Sequence, residues 1–373
     1  MEIVINRQEL VKELNATQGV VERKTTIPIL SNFLVEADGD SLNITATDLD
    51  QAMTTRVAAK VKKPGSCAIP ARKLFDYVKL LADGDVTIKL LENNWVQIRS
   101  GRSNTKMVGM ARANYPQVPV FPPQDAIRIP VASLQALIAR TIFAISNEES
   151  RYTLNGALMI LKSDAVAMVA TDGHRLSFTE KCGEILGMDG GEKRILIPRK
   201  ALAELQHLIA SASVDVVEFA SDDNTLFFRV GERTLSSRRL SGQFPNYEAV
   251  LPRDNANVAV VNSKELGSAI QRVAQFADER SGAIRLRLEA NELKISSQST
   301  EAGESEDLIE TPYSGPAITI GFNSSYILDI LKALGNEGSV RLEFKDSQSA
   351  AEIRPDDLDT GLITRTVLMP MRV

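Results

Sequence analysis

The chain has 373 residues, 43% of them hydrophobic and 24% charged, with a formal net charge of −5 at neutral pH. This length exceeds what one hydrophobic core usually serves, and the composition is that of a soluble globular protein, so we expect two or three domains. No apolar run approaches the roughly 20 residues of a membrane helix, and the first residues alternate like a strand rather than a signal peptide, which predicts a cytoplasmic protein without a membrane segment.

Cysteine and histidine are too few and too scattered to predict a metal site. Cys67 and Cys182 lie far apart, and His174 and His207 match no zinc-ligand spacing. We therefore expect two reduced packing cysteines, no metal and no cofactor. The negative charge argues against nucleic acid as a partner, although an acidic chain can still carry one basic face.

The chain carries the same pattern three times. A strand runs directly into an amphipathic helix at residues 5–10, 129–134 and 261–266, with matching leucines at Leu10, Leu134 and Leu266. A second strand and helix follow in each repeat, at residues 69–74, 197–202 and 320–325. The intervals are the size of a domain, which predicts tandem domains rather than a solenoid.

Each repeat combines two helices with many short strands, which predicts an α+β fold with the helices on one face of antiparallel sheets. Proline-containing linkers at residues 121–124 and 251–254 place the domains at 1–124, 125–253 and 254–373. Like domains joined by equal interfaces form a closed ring when the rotation from each domain to the next adds up to a full turn.

Residues 170–177 form the stretch most open to a functional interpretation. An alternating apolar run precedes them, and Gly173 permits the turn that ends this strand. One alternative is a hydrolytic enzyme that uses Asp172 and His174, but no nucleophile partners them. Another is a sequence-specific DNA-binding regulator, which the lack of a base-reading recognition helix disfavours.

Charged side chains on the predicted helices favour weak phosphate binding without sequence preference. Basic residues recur on these helices, interleaved with acidic ones, and no stacking aromatics accompany them. The acidic cluster at residues 301–307 lacks the glycine-punctuated spacing of a calcium loop. We interpret it as a solvated or partner-facing surface.

Eight motifs together resemble the bacterial DNA polymerase III β subunit, the sliding clamp, over the whole chain. They lie at residues 26–30, 45–49, 70–73, 100–103, 151–156, 170–176, 244–247 and 368–373. The resemblance implies three tandem like domains and a head-to-tail homodimer that forms a ring of six domains, with helices inside and antiparallel sheets outside. It also implies a non-enzymatic processivity factor that encircles duplex DNA and tethers the replicative polymerase.

The resemblance further assigns three sets of site residues. The peptide-binding pocket comprises Leu154, Thr171, Gly173, His174, Arg175, Leu176, Pro245, Val250, Val367, Met369, Pro370, Met371 and Arg372. The DNA-facing set comprises Lys24, Arg72, Tyr152, Arg199 and Lys200. The subunit seam comprises Lys73, Arg102, Thr105, Phe276, Glu301, Glu304 and Asp307, and Thr105 stands where the family often has an aromatic.

In the pocket we expect His174 and Arg175 at the rim to hydrogen-bond a peptide, above an apolar floor of Leu176 and Met369. The implied partners are a second copy of the chain, double-stranded DNA of any sequence, the replicative polymerase, the clamp loader and repair proteins. The polymerase, the loader and the repair proteins would bind through short linear motifs. The implied location is the bacterial cytoplasm at the replication fork.

Overall fold

The structure is a computed structural model that describes residues 1–22, 25–148, 150–188, 190–335, 338–356 and 361–372. The chain forms two compact units. The first unit consists of Met1–Ala132 and Lys200–Arg239, and the second of Ser133–Arg199 and Leu240–Val373.

The described residues form six α-helices, and each follows a strand without a connecting loop. Asparagine caps three of them: Asn6, Asn262 and Asn323 each accept a hydrogen bond from a backbone N–H in the first turn. The other three follow a proline that ends the preceding strand. The helices are α1 (Arg7–Thr17), α2 (Ala71–Leu80), α3 (Val131–Thr141), α4 (Arg199–Ala210), α5 (Ser263–Val273) and α6 (Ser324–Leu334).

Twenty-five short strands make up the sheets of the described residues. The first fourteen are β1 (Glu2–Asn6), β2 (Asn32–Asp38), β3 (Ser41–Thr47), β4 (Gln51–Ala58), β5 (Lys60–Lys63), β6 (Gly65–Pro70), β7 (Asp85–Leu90), β8 (Trp95–Ser100), β9 (Ser103–Val108), β10 (Ile127–Pro130), β11 (Gly156–Leu161), β12 (Ala165–Thr171), β13 (Arg175–Cys182) and β14 (Lys193–Pro198). The others are β15 (Val216–Ser221), β16 (Thr225–Val230), β17 (Arg233–Arg238), β18 (Asn257–Asn262), β19 (Ala283–Glu289), β20 (Glu292–Ser299), β21 (Gly303–Glu310), β22 (Ile318–Asn323), β23 (Ser339–Phe344), β24 (Ala351–Pro355) and β25 (Leu362–Leu368).

The first unit contains two sheets. One has five strands in the order β5-β1-β7-β8-β9, and the other has eight in the order β10-β15-β16-β17-β4-β3-β2-β6. The eight-stranded sheet joins four strands of the predicted first domain to four of the predicted second domain through the pairing of β17 with β4. The helices α1 and α2 pack against each other, and α1 also packs on β3 and β4.

The second unit repeats this plan. Its eight-stranded sheet has the order β14-β11-β12-β13-β25-β24-β23-β18, and its four-stranded sheet has the order β21-β20-β19-β22. Here β13 pairs with β25, which joins the predicted second and third domains. The helices α5 and α6 pack against each other over a core that includes Leu266, Ile270, Phe322 and Phe344.

The predicted α+β class with tandem like domains and antiparallel sheets is confirmed. The strand-to-helix repeats appear as β1–α1, β10–α3 and β18–α5, and again as β6–α2, β14–α4 and β22–α6. All pairings between the described strands are antiparallel. In the described ranges, no helix is long and apolar enough to cross a membrane.

The two cysteines differ from each other in their surroundings. Both are free, and Cys67 is buried in β6, where burial raises the pKa of its thiol to about 12. Cys182 is exposed at the end of β13, so the prediction that it is a packing residue is wrong. The strand leaves the core before it reaches this residue.

A buried ion pair ties α1 to the eight-stranded sheet of the first unit. The Glu13 and Arg233 side chains are each only 8% exposed, and Arg233 donates from Nε and Nη2 to the two carboxylate oxygens at 2.9 and 2.8 Å. Thr55 also donates to this carboxylate, and Arg233 Nη1 donates to Ser211 at 3.0 Å. Burial alone would raise the pKa of Glu13, but the hydrogen bonds from Arg233 and Thr55 hold it below its ordinary value of 4.5.

We predict that Arg233→Met destabilises the first unit by about 3–5 kcal/mol, because it leaves a buried carboxylate without its partner. Urea unfolding followed by the fluorescence of Trp95, the single tryptophan, measures this loss, since Trp95 lies in the first unit. Arg112→Met, which breaks a surface pair with Glu36, is the matched control and should cost at most about 1 kcal/mol.

The loss of stability caused by Arg233→Met should also depend on pH. Because the pKa of Glu13 is lowered by folding, its contribution is present above 4.5 and is lost as the pH falls through the lower folded value. The difference between wild type and Arg233→Met should therefore be largest near neutral pH and shrink in acid. Equal losses for the two arginine variants at neutral pH would contradict this account.

Candidate peptide-binding site

The turn between β12 and β13 is held by its own side chains. Thr171 Oγ1 donates to the Arg175 carbonyl at 2.7 Å and accepts from Gly173 N at 3.1 Å. Asp172 Oδ1 accepts from the backbone N–H groups of His174 and Arg175, both at 2.9 Å. Gly173 has φ +88°, a left-handed conformation that glycine adopts at little cost. The sequence therefore encodes this turn locally, as predicted.

Arg175 fixes the turn to the core of the second unit. Its guanidinium donates to Asp172 at 3.1 Å, to Asp329 at 2.7 Å and to the Phe143 carbonyl at 2.8 Å. It also stacks over the Tyr326 ring, 4.4 Å from the centroid. The side chain is buried. Three of its five N–H donors are therefore engaged within the protein, and the expectation that it donates to a peptide from the rim stays a prediction.

The pairing of β13 with β25 brings the end of the chain to this turn. Arg175 lies opposite Leu368 and Leu176 opposite Val367. The Met369 N–H then donates to the His174 carbonyl at 2.9 Å. Residues almost two hundred positions apart thus form one continuous surface at the ends of the two strands.

A cavity of about 160 Å³ opens on this surface. Its wall is mainly apolar: Leu176 and Val367 are buried beneath it, and Met369 is 38% exposed at its edge. Such a wall suits apolar or aromatic side chains of a ligand. The lining consists of Leu154, Thr171, Gly173, His174, Arg175, Leu176, Pro245, Tyr247, Val250, Val367 and Met369. We call it the peptide cavity.

Tyr247 lines the peptide cavity but is not in the predicted set. Its ring stacks on Phe178, with centroids 5.8 Å apart, and both belong to the cluster of apolar residues under the cavity. Burial raises the pKa of its hydroxyl, and the neighbouring carboxylate of Glu248 adds to this. The resemblance assigned Pro245 to the pocket but not Tyr247, whose place in the wall depends on its stacking on the distant Phe178.

The last predicted pocket residues lie apart from the lining described above. The Met371 N–H donates to the Gly321 carbonyl at 2.8 Å and forms a bridge to the neighbouring sheet. Pro370 and Arg372 flank this bridge and are likewise absent from the described cavity wall. The bridge at Met371 fixes the chain end that carries Met369.

The acid–base alternative finds no support in the geometry of Asp172 and His174. The carboxylate of Asp172 accepts hydrogen bonds from two backbone N–H groups and from Arg175, so it serves the turn. The His174 ring is exposed and stacks on Tyr326, with centroids 6.2 Å apart. Among the described residues, no group of three or more His, Cys, Asp or Glu side chains could hold a metal.

The predicted DNA-facing residues occupy different settings. Arg72 on α2 is 91% exposed, 3.6 Å from Asp76, and Lys200 on α4 is exposed at 3.5 Å from Asp48. Tyr152 is exposed, whereas Arg199 is half-buried and donates to the Ile145 carbonyl at 3.0 Å. Lys24 lies outside the described residues.

The predicted seam residues cluster near two sheet edges. Arg102 precedes the edge strand β9, which contains Thr105, and Lys73 is exposed on α2. In the second unit, Glu301 precedes the edge strand β21, which contains Glu304 and Asp307. Asp307 already pairs with Arg272 of its own chain at 2.6 Å. Phe276 ends a short helical turn and is 37% exposed.

Comparisons with known proteins agree along the whole chain. Family models described as the N-terminal, central and C-terminal domains of the DNA polymerase III beta subunit match residues 1–119, 128–246 and 248–372. The beta sliding clamp of Pseudomonas aeruginosa is 35% identical over 375 residues, and that of Escherichia coli is 32% identical over 374. Each match covers all of this chain and all of the relative.

Solved structures give the same result. The crystal structure of the P. aeruginosa sliding clamp bound to griselimycin has a TM-score of 0.92 at 35% identity and is covered completely. The Bacillus subtilis sliding clamp has a TM-score of 0.92 at 27% identity, over all of this chain and 99% of that one. The chain belongs to the DNA polymerase III beta subunit family, the sliding clamps, which are non-catalytic accessory subunits built from three tandem clamp domains.

Proposed function

We propose that the chain is the processivity factor of a bacterial replicative DNA polymerase. Two copies close head to tail into a ring that encircles duplex DNA in the cytoplasm at the replication fork. The peptide cavity tethers the polymerase, the clamp loader and repair proteins through short linear motifs. The observation that carries this proposal is the mainly apolar peptide cavity in a chain of the sliding clamp family.

The edge strands β9 and β21 support the closure of a ring. Each ends its sheet and presents backbone groups that can pair with another strand. Val108 on β9 and Leu308 on β21 are exposed apolar residues, and β21 also carries exposed Glu304, while Arg102 precedes β9. The acidic residue on one edge strand and the basic residue just before the other suit a head-to-tail contact between copies.

The domain boundaries 1–124, 125–253 and 254–373 remain part of this proposal. The family matches begin and end close to them, and each predicted domain contributes half of one or both eight-stranded sheets. Six such domains in a dimer give the number of repeats that the proposed ring requires.

A closed ring does not need tight binding to stay on DNA. Arg72, Lys200 and Tyr152 are exposed, which suits intermittent phosphate contacts without readout of bases. Weak contacts permit sliding, and the tethered polymerase gains a high effective concentration at the primer end.

The topology of binding provides the first test. A clamp loaded on nicked circular DNA should remain bound for as long as the circle is closed and should be lost when a restriction enzyme linearises it. Linear DNA with both ends blocked by bound protein is the control and should retain the clamp. Equal retention on open linear and circular DNA would contradict encirclement.

The peptide cavity is tested by Met369→Ala. Met369 forms part of the apolar wall, and burial of one such side chain contributes about 1.5–3 kcal/mol when complete. We expect about a tenfold loss of affinity for a fluorescent peptide ending in Leu-Phe, measured by anisotropy. Leu186→Ala, at an exposed residue outside the cavity, is the matched control. Unchanged affinity for Met369→Ala would place the peptide elsewhere.

The seam is tested by Phe276→Ala. Individual exposed ion pairs contribute about 0–1 kcal/mol, so the partly exposed aromatic should matter more than any one charge. Sedimentation velocity across a concentration series should show a larger monomer fraction than in the wild type. Val120→Ala truncates another exposed apolar residue and should leave the dimer unchanged. If both variants dimerise as the wild type does, Phe276 is not at the seam.

A further inference from the structure

The first unit contains a second cavity, of about 220 Å³, at the ends of β4 and β17. Its walls come from the turn after β3, from residues 116–119 and from the end of β17. The residues that decide its chemistry are Leu49, Gln51, Val118, Ser236 and Arg238. We call it the polar cavity.

The turn at the polar cavity has the same hydrogen bonds as the turn at the peptide cavity. Thr47 Oγ1 donates to the Gln51 carbonyl at 2.8 Å and accepts from Leu49 N at 3.0 Å. Asp48 Oδ1 accepts from the N–H groups of Asp50 and Gln51 at 3.0 and 2.8 Å. These bonds match those made by Thr171 and Asp172 one by one.

The strand that completes each cavity is also equivalent. β17 pairs with β4 so that Ser236 lies opposite Ala52, as Val367 lies opposite Leu176 in the second unit. The Arg238 N–H donates to the Asp50 carbonyl at 2.7 Å, as the Met369 N–H donates to the His174 carbonyl at 2.9 Å. The two cavities are therefore internal repeats of one backbone arrangement.

The side chains of the polar cavity differ in a way that points to a ligand. Gln51 occupies the position of Arg175, is only 6% exposed, and its Oε1 has no hydrogen-bond partner within the described part of the chain. A buried acceptor without a partner is unfavourable, and a donor on a bound molecule removes this cost. Gln51 lines the cavity and its Oε1 is itself buried, so a turn of the amide side chain toward the cavity would bring this oxygen to a molecule bound there.

The mouth of the polar cavity adds a charge and an apolar contact. Arg238 takes the position of Met369 and is exposed, with a nitrogen 3.8 Å from the exposed carboxylate of Asp50. A long pair of this kind leaves the guanidinium available to an anionic group. Leu49, at the position of Gly173, places an exposed side chain beside Val118 in the same lining.

We propose that the polar cavity is a second binding site, for a short hydrophilic peptide segment that carries an amide or hydroxyl side chain next to an acidic residue. The amide or hydroxyl donates to Gln51, and the acidic group pairs with Arg238. The choice of a peptide rests on the proposed function of the peptide cavity, whose backbone arrangement is the same. The polar and anionic character rests on Gln51 and Arg238 themselves.

The test is a methyl NMR titration of the full chain with two peptides. The capped tetrapeptide Gly-Asn-Glu-Gly should shift the methyl signals of Ala52 and Val118, with a dissociation constant in the millimolar range, about 1 to 10 mM. The peptide ending in Leu-Phe should shift those of Val250 and Val367 instead. Each methyl pair lies in the wall of only one of the two cavities.

Two variants separate this proposal from the proposed function. Gln51→Leu should weaken the tetrapeptide about tenfold and leave the Leu-Phe peptide unaffected, which also shows that the variant is folded. Met369→Ala should weaken the binding of the Leu-Phe peptide and leave that of the tetrapeptide unaffected. Absence of tetrapeptide shifts at Ala52 and Val118, or equal tetrapeptide affinity for Gln51→Leu, would overturn the second site while leaving the peptide cavity intact. Failure of the Leu-Phe peptide alone would overturn only the peptide cavity.

Discussion

The antiparallel pairing of β13 with β25 is the constraint on which the peptide cavity depends. It joins the strand that follows the Asp172 turn to the last strand of the chain and fixes which residues face each other at their ends. A slip of one strand by one residue would place Leu176 and Val367 on opposite faces of the sheet. Arg175, the first residue of β13, adds hydrogen bonds from this strand to Asp329 on α6 and to the Phe143 carbonyl.

The same constraint explains why three tandem domains appear as two compact units. The pairings of β17 with β4 and of β13 with β25 make continuous eight-stranded sheets out of strands from successive domains. Backbone hydrogen-bond ladders therefore continue across these junctions. The buried pair of Glu13 with Arg233 adds a polar contact across one junction, between the predicted first and second domains.

The sequence predicts those parts of the structure that depend on local chemistry. The strand-to-helix repeats follow from apolar periodicity and from the Asn and Pro residues at the helix starts, and the turn follows from Thr171, Asp172 and Gly173. The resemblance added ten residues that line the peptide cavity. What could not be predicted depends on distant packing: Tyr247 enters the wall by stacking on Phe178, Arg175 is engaged by residues far along the chain, and Met371 bonds to Gly321.

The two cavities show how one backbone arrangement supports different binding chemistry. In the peptide cavity three N–H groups of Arg175 are bonded within the protein, and the surface left for a ligand is mainly apolar, worth about 25 cal/mol for each Å² buried. In the polar cavity Gln51 keeps one acceptor without a partner among the described residues, and a single hydrogen bond contributes on the order of 1 kcal/mol net. A peptide with large apolar residues therefore gains more from the first cavity than a hydrophilic peptide gains from the second. In the two proposals made above, this difference gives the peptide cavity the stronger contact needed for tethering and the polar cavity a weaker, rapidly exchanging one.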